Sequence, residues 1–372
     1  MIYLDYAANC PVDQEVLDVY YKTALNEFAN PNSTHKLGNE ANNLLIQNME
    51  EIAKVFNVTK DEIIFTSGAT ESNNLVIQGV ASRYRSRGKH IIVSSMEHQS
   101  IIAPASHMPE LGYEFDLVPV NKDGRVDLDT LKSMIRKDTI LVSICGIDSE
   151  LGIRQPVEEI GELLKEYKNT IFHVDASQVI GRCKMDFSNV DLITVTPHKF
   201  YGLNSFGMLV KKKGVSLHPI IRGGKSVTVY RSGTPDVAMV VALNCALQKA
   251  MRLFDEREAH VIPLADRIKE ELMKHPEIHM NTNEYSVPFV VNFSVPGTKS
   301  EKLIAMLEEK EIYVSAKASC CPTGTPSKPI YAVYHDKNIA TSSIRVSLSH
   351  LTTQEEVDGF IKEIQNIFKE KR

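Results

Sequence analysis

The stretch Ile63-Ile64-Phe65-Thr66-Ser67-Gly68-Ala69-Thr70-Glu71 holds the organisation of the chain in miniature. A short apolar run ends in small residues, and a helical pattern over Glu71–Arg85 follows directly. This reads as a strand that turns straight into a helix. Such a turn leaves backbone N–H groups unengaged at a helix N-terminus, and the helix dipole adds to them. Together they make a ready site for an anion or a phosphate group. Taken alone, the turn serves equally well as an ordinary helix cap.

On either side of this stretch the same alternation runs to residue 211. Candidate strands are Ile63–Thr66, His90–Ser95, Glu114–Val120, Thr139–Cys145, Thr170–Asp175, Asp191–Thr196 and Gly207–Lys211, with helical patterns such as Pro156–Lys168 between many of them. Continuous apolar strands separated by helices predict an α/β fold: a mostly parallel central sheet flanked by helices on both faces. Asp236–Arg257 reads as one long helix leaving this unit. Beyond residue 258 the texture changes to helix Leu264–Lys274, strand Phe289–Val295, helix Ser300–Lys310, strand Ile312–Ser315, strand Ser343–Leu348 and helix Thr353–Lys369. That order predicts a small α+β domain with a partly antiparallel sheet. The expected division is a large domain over 14–257, and a small one combining 1–13 with 258–372. Segment 320–342, rich in Pro, Thr and Lys, is the longest candidate mobile loop.

A length of 372 residues fits two domains at about 150 residues each. The 42 Lys and Arg against 47 Asp and Glu leave a net charge of −5, which argues against a nucleic acid or an anionic membrane as partner. No apolar run approaches the roughly 18 residues of a membrane span. Met1-Ile2-Tyr3-Leu4-Asp5-Tyr6 does not resemble a signal peptide, so a cytoplasmic protein is expected. The six cysteines (10, 145, 183, 245, 320 and 321) show no CxxC and no zinc-site spacing, so no metal site is expected. They read as reduced thiols, mostly small buried hydrophobes, with the adjacent Cys320-Cys321 pair as the exception.

Ligands of a parallel α/β sheet bind at the carboxyl ends of its strands. Those ends carry, in order, the Thr66–Glu71 turn, Glu97-His98, Asp175-Ala176-Ser177-Gln178 and Thr196-Pro197-His198-Lys199. Singly, each has a bland reading: a helix cap, a packed histidine, a capping aspartate, a solvated lysine. Together they match the needs of pyridoxal phosphate. That cofactor takes a lysine for its Schiff base, an acidic partner for its pyridine nitrogen, a phosphate cradle and a flat group against its ring. A carboxylate at the pyridine nitrogen keeps it protonated, because an opposite charge favours the charged form. No GxGxxG follows an early strand, which disfavours a dinucleotide site.

With these residues in hand, the chain resembles the cysteine desulfurases of the class V aminotransferase family, the NifS-like branch of fold-type I pyridoxal enzymes. The resemblance runs from Tyr3-Leu4-Asp5-Tyr6-Ala7-Ala8 to Ser343-Ile344-Arg345-Val346-Ser347-Leu348 and Thr352-Thr353. It includes Asn30-Pro31-Asn32-Ser33-Thr34-His35, Phe65–Asn74, His173–Gln178, His198-Lys199-Phe200-Tyr201-Gly202 and Arg231-Ser232-Gly233-Thr234. It implies Lys199 as the Schiff-base lysine, Asp175 at the pyridine nitrogen, Gln178 at the ring hydroxyl and His98 stacked on the ring and moving protons. Ala69, Thr70, Thr196 and His198 would hold the phosphate. Thr234 would reach the phosphate of a neighbouring subunit, which implies a homodimer. Arg345, with Asn30, would bind the substrate; a bidentate guanidinium suits a carboxylate. Without the motif around it, Arg345 would read as a surface ion pair.

The same resemblance implies a nucleophilic cysteine that takes sulfur from L-cysteine as a persulfide, releases L-alanine and passes the sulfur to an acceptor protein for iron–sulfur assembly or tRNA thiolation. Cys320 stands at the matching position; an incidental thiol pair is the plainer reading of Cys320-Cys321 in isolation. Several positions depart from the family pattern. Cys321 adjoins the nucleophile, Ser149 replaces the asparagine expected at the ring hydroxyl, Pro197 precedes His198, and Asn9-Cys10 replaces a Thr-Thr pair. The alternatives are a selenocysteine lyase or another class V lyase or aminotransferase, and a non-catalytic scaffold. The joint presence of Lys199, Asp175, His98 and Arg345 disfavours the scaffold.

Overall fold

The computed structural model describes residues 1–317 and 324–370. Its strands are β1 Ile2–Tyr3, β2 Ile63–Thr66, β3 His90–Ser94, β4 Glu114–Val118, β5 Thr139–Cys145 and β6 Ile171–Asp175. They continue with β7 Leu192–Val195, β8 Gly207–Lys211, β9 His279–Met280, β10 Val290–Ser294, β11 Ile312–Tyr313 and β12 Ser343–Ser347. The central sheet has seven strands in the order β2-β8-β7-β6-β5-β3-β4. All contacts in it are parallel except those of β8, which runs against both its neighbours.

Both faces of the inner strands β5, β7 and β8 are covered, which is why these run mostly apolar, whereas the edge strand β4, with Glu114 and Asp116, is largely exposed. Along β3, Ile91 and Val93 pack with Leu75, Val76 and Val80 of helix Ala69–Tyr84, whereas Ile92 belongs to the cluster holding Leu243 and Leu247 of helix Val237–Arg252. Strand geometry sends alternate side chains to opposite faces, so each strand feeds two cores. In addition, β12-β10-β9 form an antiparallel sheet and β1 pairs in parallel with β11. The N-terminal segment threads between these pieces: Leu4 N donates to Tyr313 O (2.9 Å), and Ser347 N donates to Leu4 O (2.8 Å).

Two expectations need correction. Asp236–Arg257 is not one helix: Val237–Arg252 ends at Leu253 and a second helix, Phe254–Leu272, leaves at 63°, absorbing the helix expected at 264–274. Phe254, first in the new helix, turns into the core at 6 % exposure, and its burial sets the new direction. Segment 320–342 is not one loop either, since it contains helices Lys328–Tyr334 and Lys337–Thr341. Its richness in Pro does not exclude helix, because Pro329 occupies the first turn, where a missing N–H costs nothing. Ser327 and Asp336 cap the two helices, and Ile330 and Ala340 are buried.

Candidate active site

A cleft of about 460 Å³ opens where β2, β5, β6 and β7 end, and its wall includes Lys199, His98, Asp175, Gln178, Thr196, His198, Ser149 and Arg345. The sheet register builds it. Cys145, the last residue of β5, lies opposite Asp175, the last of β6, and Thr66 at the end of β2 lies opposite Gly207. Side chains far apart in the chain are thereby delivered to one rim.

One side of the cleft is the N-terminus of helix Ala69–Tyr84. Its cap is Gly68, at φ +144, so no side chain satisfies the first N–H groups and the turn stays open around Ala69 and Thr70. A side chain at 68 would be strained in that conformation. Thr196 Oγ1 donates to Phe206 O (3.2 Å) and pairs with His198 Nδ1 (3.0 Å), which fixes both residues beside this turn. Burial, with the charges of Lys199 and Arg182, pushes the His198 imidazole down to about 4.

Lys199 ends the short turn Pro197–Lys199 that follows β7. Its Nζ donates to Ala7 O (2.9 Å) and Ala8 O (2.6 Å), so the N-terminal segment forms the opposite rim. Burial lowers its pKa to about 8, and the guanidinium groups of Arg182 and Arg345 add to the effect. A lysine so placed is substantially neutral slightly above physiological pH and can act as a nucleophile or base. Gln178 Nε2 also donates to Ala7 O (3.0 Å).

Asp175 is buried and doubly held: Oδ1 accepts from Ser177 N (2.9 Å) and Oδ2 from Asn73 Nδ2 (2.8 Å). Each oxygen retains a lone pair for a further donor. His98 caps helix Gln99–His107 with Nδ1, and burial lowers its pKa although the Asp175 charge opposes that. Arg345, 1 % exposed, donates from Nη2 to Asp5 Oδ1 (2.7 Å) and from Nη1 to Ser149 O (2.8 Å), leaving Nε buried without a partner. Ser149 is presented by a turn in which Asp148 accepts from the N–H groups of Glu150 and Leu151.

Two expected site residues lie outside the cleft wall. Asn30 is exposed and its side chain accepts from Asn32 N (2.9 Å); Thr234 is exposed and outside the cleft wall. Cys320, with Cys321, lies outside the described residues. Conversely, the structure adds groups that motif reading passed over. Asp5 pairs with Arg345, Asn73 holds Asp175, and Cys145 forms part of the wall as a buried thiol whose pKa is raised. Arg182 lies beneath Lys199, donating to Tyr6 O (2.9 Å) and Lys199 O (3.3 Å). Asp5 and Asn73 sit inside quoted motifs, so a signal existed for them; for Cys145 and Arg182 only the fold supplies one.

The aminotransferase class-V family model matches residues 2–360. The chain belongs to the class V aminotransferase family. A NifS/IcsS protein homolog of Lactobacillus delbrueckii subsp. bulgaricus is 38 % identical, covering 99 % of this chain and 97 % of the relative. A cysteine desulfurase IscS of Dictyoglomus turgidum is 35 % identical, covering 100 % and 95 %. A solved NifS-like protein superposes with a TM-score of 0.93 at 33 % identity, covering 99 % of each chain. The fold is that of these class V proteins, with the mostly parallel central sheet expected from the strand pattern.

Glu97, adjacent to His98, is itself buried. Glu97 Oε1 accepts from Ser94 Oγ (2.7 Å) and Cys145 N (2.5 Å), and Oε2 has no partner. Burial, reinforced by the Asp175 charge, raises its pKa to about 8. The folded protein therefore holds a proton on Glu97 that the unfolded chain releases near pH 4.3. Stability contributed by this proton is present below the unfolded value and is lost as pH rises toward 8. Glu97→Gln, neutral throughout, is expected to flatten that decline. Urea unfolding midpoints of the two proteins should diverge between pH 5 and 9, with wild type falling further; parallel curves would refute a protonated Glu97.

Proposed function

We propose that the protein is a pyridoxal-phosphate-dependent cysteine desulfurase. It converts L-cysteine to L-alanine and passes the sulfur, through a cysteine persulfide, to an acceptor protein serving iron–sulfur assembly or tRNA thiolation. The observation that carries the reading is the single cleft that gathers Lys199, Asp175, His98 and Arg345 around an uncapped helix N-terminus. Its residues fit the cofactor. Asp175 keeps a lone pair on each oxygen, the Ala69–Thr70 terminus is open, and Ser177 Oγ is buried without a partner. When bound, pyridoxal phosphate supplies an electron sink for carbanion chemistry.

In this reading Lys199 is the covalent attachment point and the base, and its lowered pKa suits both tasks. Asp175 holds a proton at the pyridine nitrogen. Ala69, Thr70, Thr196 and His198 form the phosphate seat. Gln178 and Ser149 take the ring hydroxyl, Ser149 standing where the family pattern has asparagine. His98 packs on the ring, and Arg345 binds the substrate carboxylate. Cys320 is the sulfur acceptor: the C–S bond of L-cysteine breaks, an S–S bond forms at Cys320, and the carbon skeleton leaves as L-alanine once protonated. The protein works as a homodimer in the cytoplasm. The exposed Thr234, outside its own cleft, supports a role on the phosphate of a second copy.

Purified protein is expected to be yellow and to be fixed at Lys199 by borohydride. With L-cysteine and a thiol reductant it should release alanine and sulfide in equal amounts. Cys320→Ala should lose this activity and Cys321→Ala retain it; the reverse pattern would move the nucleophile to Cys321. Full activity of both variants with a preference for another amino acid would favour a selenocysteine lyase or aminotransferase. A colourless protein that takes up no pyridoxal phosphate would overturn the reading.

A further inference from the structure

A hydrogen-bonded chain crosses the floor of the cleft. Asn73, fully buried in helix Ala69–Tyr84, donates from Nδ2 both to Asp175 Oδ2 (2.8 Å) and to Ser100 Oγ (2.8 Å). Ser100 Oγ lies 2.8 Å from His98 Nδ1, and the Ser100 backbone N–H donates to the same nitrogen at 3.1 Å. The donor and acceptor roles in this chain admit one assignment. A carboxylate only accepts, so the Asn73 amide must turn its NH₂ to Asp175. That same NH₂ reaches Ser100 Oγ, which leaves the Ser100 hydroxyl proton for His98 Nδ1. A backbone N–H cannot accept, so Nδ1 receives two donors and carries no proton of its own.

We infer that Asn73 and Ser100 are positioning residues that hold His98 as its Nε2–H tautomer and couple its ring to Asp175. His98, part of the cleft wall, then carries its single ring proton on Nε2. A second proton could enter only at Nδ1, where it would displace the Ser100 hydroxyl donor and face the Ser100 N–H. The position of the ring at the N-terminus of helix Gln99–His107 opposes the cation further. Of the described charged groups around His98, Asp175 favours the imidazolium and Lys199 disfavours it. Glu97, adjacent in sequence, turns its carboxyl to Ser94 and Cys145 instead. The use of this donor in catalysis rests on the cofactor reading above; the tautomer does not.

The test is ¹⁵N–¹H correlation of the histidine side chains in the full-length protein, with the His98 signal assigned by its loss in His98→Gln. Wild type is expected to show a bare Nδ1 and a protonated Nε2. Ser100→Ala and Asn73→Ala remove or free the hydroxyl donor that stabilises the neutral ring. Each should raise the His98 titration midpoint by about 0.5–1 pH unit, the equivalent of one hydrogen bond. Ser100→Thr, which keeps the hydroxyl, should titrate as wild type. In turnover assays the two alanine variants should lower kcat about tenfold with little change in KM. A proton on Nδ1 in wild type, or an unmoved midpoint in Ser100→Ala, overturns the inference. The wild-type spectrum and Ser100→Ala decide the matter even if Asn73→Ala fails to fold. A bare Nδ1 in a protein that binds no pyridoxal phosphate would refute the cofactor reading and leave the relay standing.

Discussion

Lys199→Ala is expected to lower turnover of L-cysteine by about 10⁴-fold or more, since it removes both a nucleophile and a general base from one position. Lys199→Arg should be equally inactive. It preserves the charge, but a guanidinium does not deprotonate in a protein and so cannot attack a carbonyl. Stability should move the other way. Wild type buries an ammonium whose pKa falls to about 8 in the fold, against about 10.4 when unfolded. In that window the unfolded chain binds more protons, so stability attributable to Lys199 rises with pH and is lowest below 8. The alanine variant loses the bonds to Ala7 O and Ala8 O but also this buried charge. Its urea midpoint at pH 7 should therefore stay within about 1 kcal/mol of wild type or exceed it. Alanine release and urea unfolding, measured on the same preparations, check both halves. Retained turnover would refute the role of Lys199, and a cooperative loss of several kcal/mol would refute the electrostatic account.

The second large effect is expected at Arg345. Removing a buried charge-paired group that also binds substrate costs about 2–5 kcal/mol of interaction. Arg345→Ala should thus reduce kcat/KM for L-cysteine by about 10²-fold or more, mainly through KM. It should also destabilise the fold by about 3 kcal/mol, because Asp5 is left without its cation and Ser149 O without a donor. Asp5→Asn separates the two effects. Its amide can still accept from Ser315 Oγ, which donates to Asp5 Oδ2 at 2.8 Å, but the ion pair is gone. That variant should lose comparable stability while KM rises less than tenfold. Equal rises in KM for the two variants would mean that Arg345 acts only through the fold.

Much of this was legible along the chain. The strands at Ile63–Thr66, Thr139–Cys145 and Gly207–Lys211 coincide with their apolar runs to the residue, because strands buried along most or all of their length are apolar runs with sharp ends. Lys199, Asp175, His98 and the Ala69–Thr70 turn could be found for a related reason. A parallel sheet sends the ends of its strands to one edge, so residues after the strands are neighbours in space. Sequence pattern and structure part where local signals have two meanings: a Pro-rich segment holds a helix started by Pro329, and an uninterrupted helical pattern over Asp236–Arg257 conceals a sharp bend at Leu253.

Local pattern thus specified the class of fold and the identity of most cleft residues, since periodicity and strand-end position are properties of short stretches of chain. The partners of those residues are another matter. Asp5 reaches Arg345 across 340 positions, Lys199 reaches Ala7 across 192, and Asn73 reaches Asp175 across 102. No local propensity encodes such pairs. They exist because the N-terminal segment is threaded between β11 and β12 and because helix Ala69–Tyr84 lies against the central sheet. Burial then gives the cleft its chemistry, by taking water away from Lys199 and His98 and lowering the pKa of each.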